Sequence, residues 1–201
     1  EDTNKVNLII GAYRDSHGKP WVLPSVRAAE SRVMAQKHNK EYSGIIGDPE
    51  FIAHALAFAY GQECLALQER RVAGIQTLSG TGALRIGCDF LAKFLGKDVP
   101  FYISDPTWGN HNNIVTGAGM SDIRCYRYLD RESQGLDFGG MLEDINTAPS
   151  GSIFLLHACA HNPSGVDPSP EQWQLLSAAL KAQGHIIFLD CAYQGFASGD
   201  S

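Results

Sequence analysis

The fold is decided by one stretch near the end of the chain, Ile186-Ile187-Phe188-Leu189-Asp190-Cys191-Ala192-Tyr193-Gln194-Gly195-Phe196. An apolar run ends there in a carboxylate, and a tyrosine follows three residues later. Short buried strands that end in a polar side chain are typical of open α/β sheets, which bind ligands at the carboxyl ends of their strands. Because an unpaired carboxylate is costly to bury, we expect Asp190 to meet a cation or several hydrogen-bond donors.

Three further segments have the same layout of an apolar run followed by polar side chains. They are Ser79-Gly80-Thr81, Asp105-Pro106-Thr107-Trp108, and His157-Ala158-Cys159-Ala160-His161-Asn162-Pro163-Ser164-Gly165. The carboxyl ends of parallel strands meet at one edge of a sheet. We therefore expect all four segments to converge on a single site.

Strand-like and helix-like segments alternate along the chain. Periodicity predicts strands at 6–10, 72–78, 100–103, 123–126, 152–156 and 185–189, and helices at 25–38, 49–60, 83–94, 141–145 and 170–182. Residues 44–48 are predicted as a loop and 114–116 as a loop or the start of a helix. The alternation predicts a mostly parallel sheet with helices on both faces.

Composition restricts the class of function. The chain of 201 residues is long enough for one good core and a second small lobe. A formal charge of −6 argues against a nucleic-acid surface and favours a small-molecule or protein partner. No apolar run approaches the ~18 residues of a membrane helix. The N-terminus resembles neither a signal nor a transit peptide, although a removed presequence would leave no trace.

The five cysteines are scattered and form no C-x-x-C pair. This usage is typical of reduced thiols in a cytosol-like compartment. Cys159 has a spacing to His157 and His161 that would suit a metal, but no second ligand pair accompanies them. We therefore expect no metal site.

Each segment at a strand end suits a particular ligand group. Ser79-Gly80-Thr81-Gly82 precedes a helix, whose N-terminus favours an anion, although a plain cap turn is the alternative. Asp190 suits a group that is cationic only when protonated, such as a pyridinium nitrogen. Trp108 offers a flat face for stacking on a ring, or it is simply part of the core.

The remaining groups complete the description of a ring-binding site. Tyr193 and Asn162 can hydrogen-bond a phenolic oxygen from two sides, and His111 is placed to orient Asp190 from behind. Taken singly, the histidines are more often structural, and Asn162-Pro163 is a common turn. Taken together, the groups predict a site for pyridoxal phosphate, which acts as an electron sink when its ring nitrogen is protonated.

The motifs resemble those of the aspartate aminotransferase branch of the fold-type I pyridoxal-phosphate enzymes, almost from end to end. The matching segments are residues 7–15, 18–20, 79–85, 106–111, 157–168 and 190–196. The resemblance implies a fold-type I large cofactor-binding domain over residues 21–201, with a sheet incomplete at the C-terminal side. Residues 1–20 would belong to the small domain.

The resemblance also implies roles for individual residues. Cofactor binding would fall to Ser79, Gly80, Thr81, Trp108, Asn162, Asp190 and Tyr193, and to Tyr42 from the neighbouring subunit of a homodimer with shared sites. Gly11, Trp108 and Asn162 would bind the substrate. His111 and His157 would lie behind the residues that touch the cofactor and support them. The reaction implied is amino transfer between aspartate and 2-oxoglutarate in the cytoplasm, with the mitochondrion as the alternative.

Three residues that the resemblance implies are missing from this chain. The Schiff-base lysine of a Ser-x-x-Lys segment, and both substrate-binding arginines, come after the position where this chain stops. Ser16-His17-Gly18-Lys19 has the spacing but lies in the wrong place. We therefore expect an inactive, aggregation-prone N-terminal half with no catalytic residue of its own.

Three alternatives to aspartate transamination remain open at this point. The chain is a non-catalytic fragment that binds a partner, or it belongs to another fold-type I enzyme, such as an aromatic aminotransferase or a decarboxylase. A nucleotide-binding α/β protein is the least favoured, because neither dinucleotide nor P-loop spacing occurs.

Overall fold

The computed structural model describes residue 5, residues 11–196 and residue 199. The predicted strand at 6–10 lies outside the described residues. By their contacts, the residues group into two units, 1–43 and 44–201. The division between residues 20 and 21 that the resemblance implies stays a prediction.

In the first unit, helix α1 spans Pro24–Ala35. Pro24 occupies the first turn, where the missing N–H costs nothing. The helix ends three residues before the predicted end, and Lys37 adopts a left-handed conformation with φ 49°. Before the helix, Asp15 closes a turn by accepting hydrogen bonds from the N–H groups of His17 and Lys19.

The second unit is built on a parallel sheet. Its strands in chain order are β1 (Phe101–Asp105), β2 (Ile123–Arg127), β3 (Leu129–Asp130), β4 (Gly135–Leu136), β5 (Ile153–His157) and β6 (Ile186–Asp190). The four-stranded sheet has the order β2-β1-β5-β6, and all of its pairs are parallel. Strands β3 and β4 form a separate short antiparallel pair.

Six helices accompany this sheet. They are α2 (Pro49–Tyr60), α3 (Leu65–Gln68), α4 (Ser79–Leu95), α5 (His111–Gly117), α6 (Phe138–Thr147) and α7 (Pro170–Ala182). Helices α2 and α7 occupy the predicted ranges because each begins with a capping side chain followed by proline. In α7, Ser169 and Gln172 form a reciprocal capping box.

Two apolar clusters cover opposite faces of the sheet. Side chains alternate along a strand, so Phe101 and Ile103 pack with α4 and α5 on one face. Tyr102 and Phe154 pack with α6 and α7 on the other. The prediction of a mostly parallel sheet with helices on both faces is confirmed.

The predicted strand at 72–78 is wrong. The segment forms no ladder with any described strand, and Leu78 is 91% exposed. Two hydrogen bonds tie the segment to the loop at 44–48: the N–H of Gln76 donates to the carbonyl of Ile46, and the N–H of Asp48 donates to Oε1 of Gln76. Residues 79–82, expected as a link, form the first turn of α4, and residues 114–116 lie inside α5. Helix α3 and the β3–β4 pair are too short to give a periodic signal.

Gly87 marks a close approach between α4 and the sheet. A Cβ atom at this position would lie 2.6 Å from Cζ of Phe188, whose ring packs edge-on against Phe101. We expect Gly87→Ala to displace the ring or the helix and to lower the free energy of unfolding by about 1–3 kcal/mol. Denaturant unfolding measures this loss. Gly139→Ala in α6 is the control, because open space surrounds that position; equal losses in both variants would contradict the prediction.

Candidate active site

A cavity of about 490 Å³ opens where the carboxyl ends of β1, β5 and β6 meet the N-terminus of α4. This volume is in the usual range for small-molecule sites. The residues that line it are Ser79, Gly80, Thr81, Leu84, Trp108, His157, Cys159, Asn162, Asp190, Cys191, Ala192 and Tyr193. The structure thus brings together all the cofactor-binding residues predicted within the second unit.

Two predicted site residues belong to the first unit instead. Gly11 and Tyr42 are both exposed there. Tyr42 is fully exposed within this single chain. Their roles toward substrate and toward a neighbouring subunit stay predictions.

Asp190 lies at the end of β6 and is held by a buried histidine. Nε2 of His111, the first residue of α5, lies 3.0 Å from Oδ2 of Asp190. The His111 side chain is 1% exposed, whereas that of Asp190 is 20% exposed toward the cavity it lines. The structure therefore places His111 behind Asp190, as its spacing from Trp108 suggested.

The hydrogen bonds behind Asp190 run in one direction. The backbone N–H of Asn162 donates to Nδ1 of His157 at 3.3 Å, so in the neutral ring the proton is on Nε2. That Nε2–H donates to Oγ1 of Thr107 at 3.3 Å, and the Thr107 hydroxyl donates to Nδ1 of His111 at 2.7 Å. The remaining N–H of His111 donates to Asp190. Sequence reasoning placed Thr107 in one of the four converging segments but gave it no role, since its only signal is a hydroxyl just beyond a strand end.

The buried side chains of His157 and His161 are both held neutral. Burial lowers the pKa of His157 to about 4, with His111 adding to the effect. Burial likewise lowers the pKa of His161 to about 4, with His157 adding to the effect. The His161 ring lies between the hydroxyls of Ser104 and Ser164 and stacks on Tyr128 at 3.8 Å.

We expect stability to fall as the pH drops from about 6.5 toward about 4. In that window the unfolded chain binds protons at His157 and His161 while the folded chain does not, which favours unfolding. We expect the free energy of unfolding to fall by on the order of 1–2 kcal/mol for each imidazole between pH 7 and pH 5. Urea unfolding at the two pH values measures this difference. His161→Gln should flatten the pH dependence, whereas His54→Gln, at an exposed position, should leave it unchanged. A pH dependence that His161→Gln leaves as steep would contradict this assignment.

The N-terminus of α4 is suited to an anion. Its N-cap residue is Leu78 and no side chain caps it, which argues against the plain cap turn. In the described part of the chain, no group accepts a hydrogen bond from the N–H of Gly80 or Thr81. Ser79 has φ 64°, a strained conformation that tends to occur at ligand sites. Two free N–H groups, two hydroxyls and the dipole of a 17-residue helix fit a phosphate group.

Other side chains that line the cavity come from loops that follow the strands. Trp108 packs on the core cluster below it and also lines the cavity, so both interpretations of this residue apply. Its ring meets His111 edge-on at 5.3 Å. The loop that carries Tyr193 is tied to α2, because the amide of Gln194 donates to the carbonyl of Phe58. The cavity therefore offers an aromatic face, a carboxylate and two side-chain hydrogen-bonding groups.

Candidate metal clusters and candidate membrane-spanning helices are both absent over residues 11–196. No three or more His, Cys, Asp or Glu side chains come together there in a way that could hold a metal ion. In the same range, no helix has both the length and the hydropathy needed to cross a membrane.

A family model described as aminotransferase class I and II matches residues 3–201. The chain belongs to this aminotransferase family. The cytoplasmic aspartate aminotransferase of Gallus gallus is 49% identical over 203 residues, which cover 98% of this chain and 49% of that protein. The mitochondrial aspartate aminotransferase of Schizosaccharomyces pombe is 50% identical, covering 99% of this chain and 45% of that protein.

Solved aminotransferase structures agree with the fold. Aspartate aminotransferase from the cytoplasm of Saccharomyces cerevisiae has a TM-score of 0.94 and 48% identity, covering 100% of this chain and 48% of that one. The fold-type I architecture expected from the sequence is confirmed. The chain spans about half the length of the curated relatives it matches.

Proposed function

We propose that the whole protein is an aspartate aminotransferase that moves an amino group between aspartate and 2-oxoglutarate, with oxaloacetate and glutamate as the other pair. One observation carries the proposal: a single cavity joins the uncapped N-terminus of α4, an indole face and a carboxylate backed by histidine. Pyridoxal phosphate, when bound, would supply an electron sink for chemistry at the amino-acid Cα.

The residues of this chain would hold that cofactor at three points. The N–H groups of Gly80 and Thr81, with the hydroxyls of Ser79 and Thr81, would bind its phosphate. Asp190 would accept the ring N–H and keep that proton in place. Because His111 fixes Asp190 from behind, the carboxylate needs no reorganisation when the ring arrives.

The remaining contacts would orient ring and substrate. Asn162 and Tyr193 would hydrogen-bond the ring oxygen, and Trp108 would stack on the ring. Trp108, Asn162 and Gly11 would bind a substrate carboxylate. The Schiff-base lysine stays a prediction for the part of the relatives' length that this chain does not span.

Assembly, domains and location are part of the same proposal. We propose a homodimer in which Tyr42 reaches the phosphate of the neighbouring site, a small-domain segment over 1–20 and a large domain over 21–201. The free cysteines and a pI of about 5.6 favour the cytoplasm. The relatives include both cytoplasmic and mitochondrial enzymes. The partners are amino and 2-oxo acids, with no nucleic acid and no membrane.

Cofactor binding tests the proposal directly. The full-length apoprotein is titrated with pyridoxal phosphate and, as a matched ligand without the phosphate, with pyridoxal. We expect the double substitution Ser79→Ala and Thr81→Ala to weaken the phosphate ester about 10-fold or more while changing pyridoxal much less. Turnover of aspartate with 2-oxoglutarate should accompany binding. Failure of the wild-type protein to bind the ester, or a preference for aromatic amino acids, would overturn the assignment.

A further inference from the structure

Asp167 lies outside the cavity lining but holds the loop that supplies part of it. Its Oδ2 accepts from the backbone N–H of Ala160 at 2.6 Å, and its Oδ1 accepts from that of His161 at 2.9 Å. Hydrogen bonds to a charged acceptor are about twice as strong as neutral ones. Ala160 has φ 47°, a left-handed conformation that a residue with a Cβ rarely adopts. The carboxylate therefore stabilises a strained turn.

The position of Asp167 is itself fixed on both sides. The carbonyl of Val166 accepts a hydrogen bond from the hydroxyl of Tyr128 at 2.7 Å. Two residues later, Ser169 begins α7 through its capping box. Leu176 and Leu180 of α7 are buried in the core. The carboxylate is thus presented to the turn by a rigid part of the fold.

The strained turn leads directly into the cavity wall. Asn162 directly follows Ala160 and His161 in the sequence and lines the cavity. Its backbone N–H donates to Nδ1 of His157. This bond places the proton of His157 on Nε2 and so sets the direction of the line toward Asp190. A shift of the turn would therefore move Asn162 and disturb His157 together.

We infer that Asp167 is a positioning residue of the cofactor site. It holds Ala160 and His161 in the turn that places Asn162 and that keeps Nδ1 of His157 free of a proton. The part that concerns the cofactor rests on the proposed function, whereas the part that concerns His157 does not.

The test compares Asp167→Asn with Asp130→Asn in the full-length protein. Asp130 also accepts a backbone N–H in a turn, that of Glu132 at 3.0 Å, but it does not line the cavity. An asparagine at position 167 has one oxygen and one NH₂ group, so it can accept from only one of the two backbone N–H groups and places a donor against the other. In the ligand-free protein, ¹⁵N shifts of the His157 ring should change from a single Nε2-protonated form to a mixture. The Kd for pyridoxal phosphate should rise about tenfold. Asp130→Asn should change neither.

A rescue experiment separates positioning from general stability. Glycine adopts the left-handed conformation without help, so Ala160→Gly in the Asp167→Asn background should recover much of the lost affinity. Unchanged His157 shifts and unchanged Kd in Asp167→Asn would overturn the inference. If wild-type protein binds no pyridoxal phosphate, the proposed function fails, and the His157 shifts still decide the role of Asp167.

If Asp167→Asn does not fold, hydrogen exchange in the wild-type protein still tests the inference. The inference requires slow hydrogen exchange at the amides of both Ala160 and His161, because both donate to Asp167. Exchange at the rate of an open loop would overturn it.

Discussion

Replacing Asp190 by asparagine in the full-length protein is expected, under the proposed function, to lower kcat/KM for aspartate by about 10³-fold or more while the fold stays intact. The carboxamide has the same shape and its oxygen can still accept from His111, whose Nε2 lies 3.0 Å from the native carboxylate. It carries no charge, however, so it cannot hold a proton on a pyridine nitrogen. The cofactor would remain bound but would withdraw electrons poorly.

The matched control for this variant is Asp89→Asn. Asp89 is a half-exposed carboxylate on α4 whose partner is Arg85 on the preceding turn. Exposed pairs of this kind contribute little, so we expect less than a ~2-fold change in kcat/KM. Steady-state rates and thermal melting of both variants give the comparison. Activity of Asp190→Asn within about tenfold of wild type would exclude Asp190 as the partner of the ring nitrogen.

Phe154→Ala is expected to reduce the free energy of unfolding by about 3–5 kcal/mol. Phe154 is fully buried in β5, one of the two central strands of the sheet, and stacks on Tyr102 with ring centroids 4.6 Å apart. The rings of Tyr126 and His185 also pack against it. Removing this ring leaves a cavity between the sheet and helices α6 and α7, where three aromatic partners lose their contacts.

Chemical denaturation of the full-length protein measures the loss. Phe90→Ala is the control, because Phe90 on α4 is 59% exposed and pairs with Phe94 at the surface; we expect a change of less than ~1 kcal/mol there. Phe154→Leu gives a milder loss and keeps the test usable if the alanine variant fails to fold. Similar losses at positions 154 and 90 would contradict the packing described here.

The parts of the fold that sequence reasoning predicted well have strong local signals. The strands predicted at 152–156 and 185–189 are β5 and β6, each displaced by one residue, and the last residues of the two strands, His157 and Asp190, are paired in register. Helices α2 and α7 begin where a capping side chain precedes proline. Three of the four segments that meet at the cavity follow parallel strands, which explains why much of the candidate site could be anticipated. The fourth, Ser79-Gly80-Thr81, reaches the cavity as the first turn of α4 and not as the end of a strand.

The parts that could not be predicted depend on tertiary contacts. The segment 72–78 alternates like a strand, but alternation cannot show whether a neighbouring strand is present to pair with it. Thr107 joins His157 to His111 only because β1 and β5 lie side by side. The hydrogen bond from the N–H of Ala160 to the Asp167 carboxylate joins residues seven positions apart in an irregular loop. Such a loop has no periodic pattern from which the contact could be predicted.

The hydrogen bonds that run from the amide of Asn162 through His157, Thr107 and His111 to Asp190 cannot conduct protons away from Asp190. An amide nitrogen cannot take up the proton that a relay would have to pass to it, and His157 resists a second one because burial lowers its pKa to about 4. Within the described residues, this line of hydrogen bonds therefore gives a proton at Asp190 no route inward. Such a proton would exchange with solvent through the cavity that Asp190 lines.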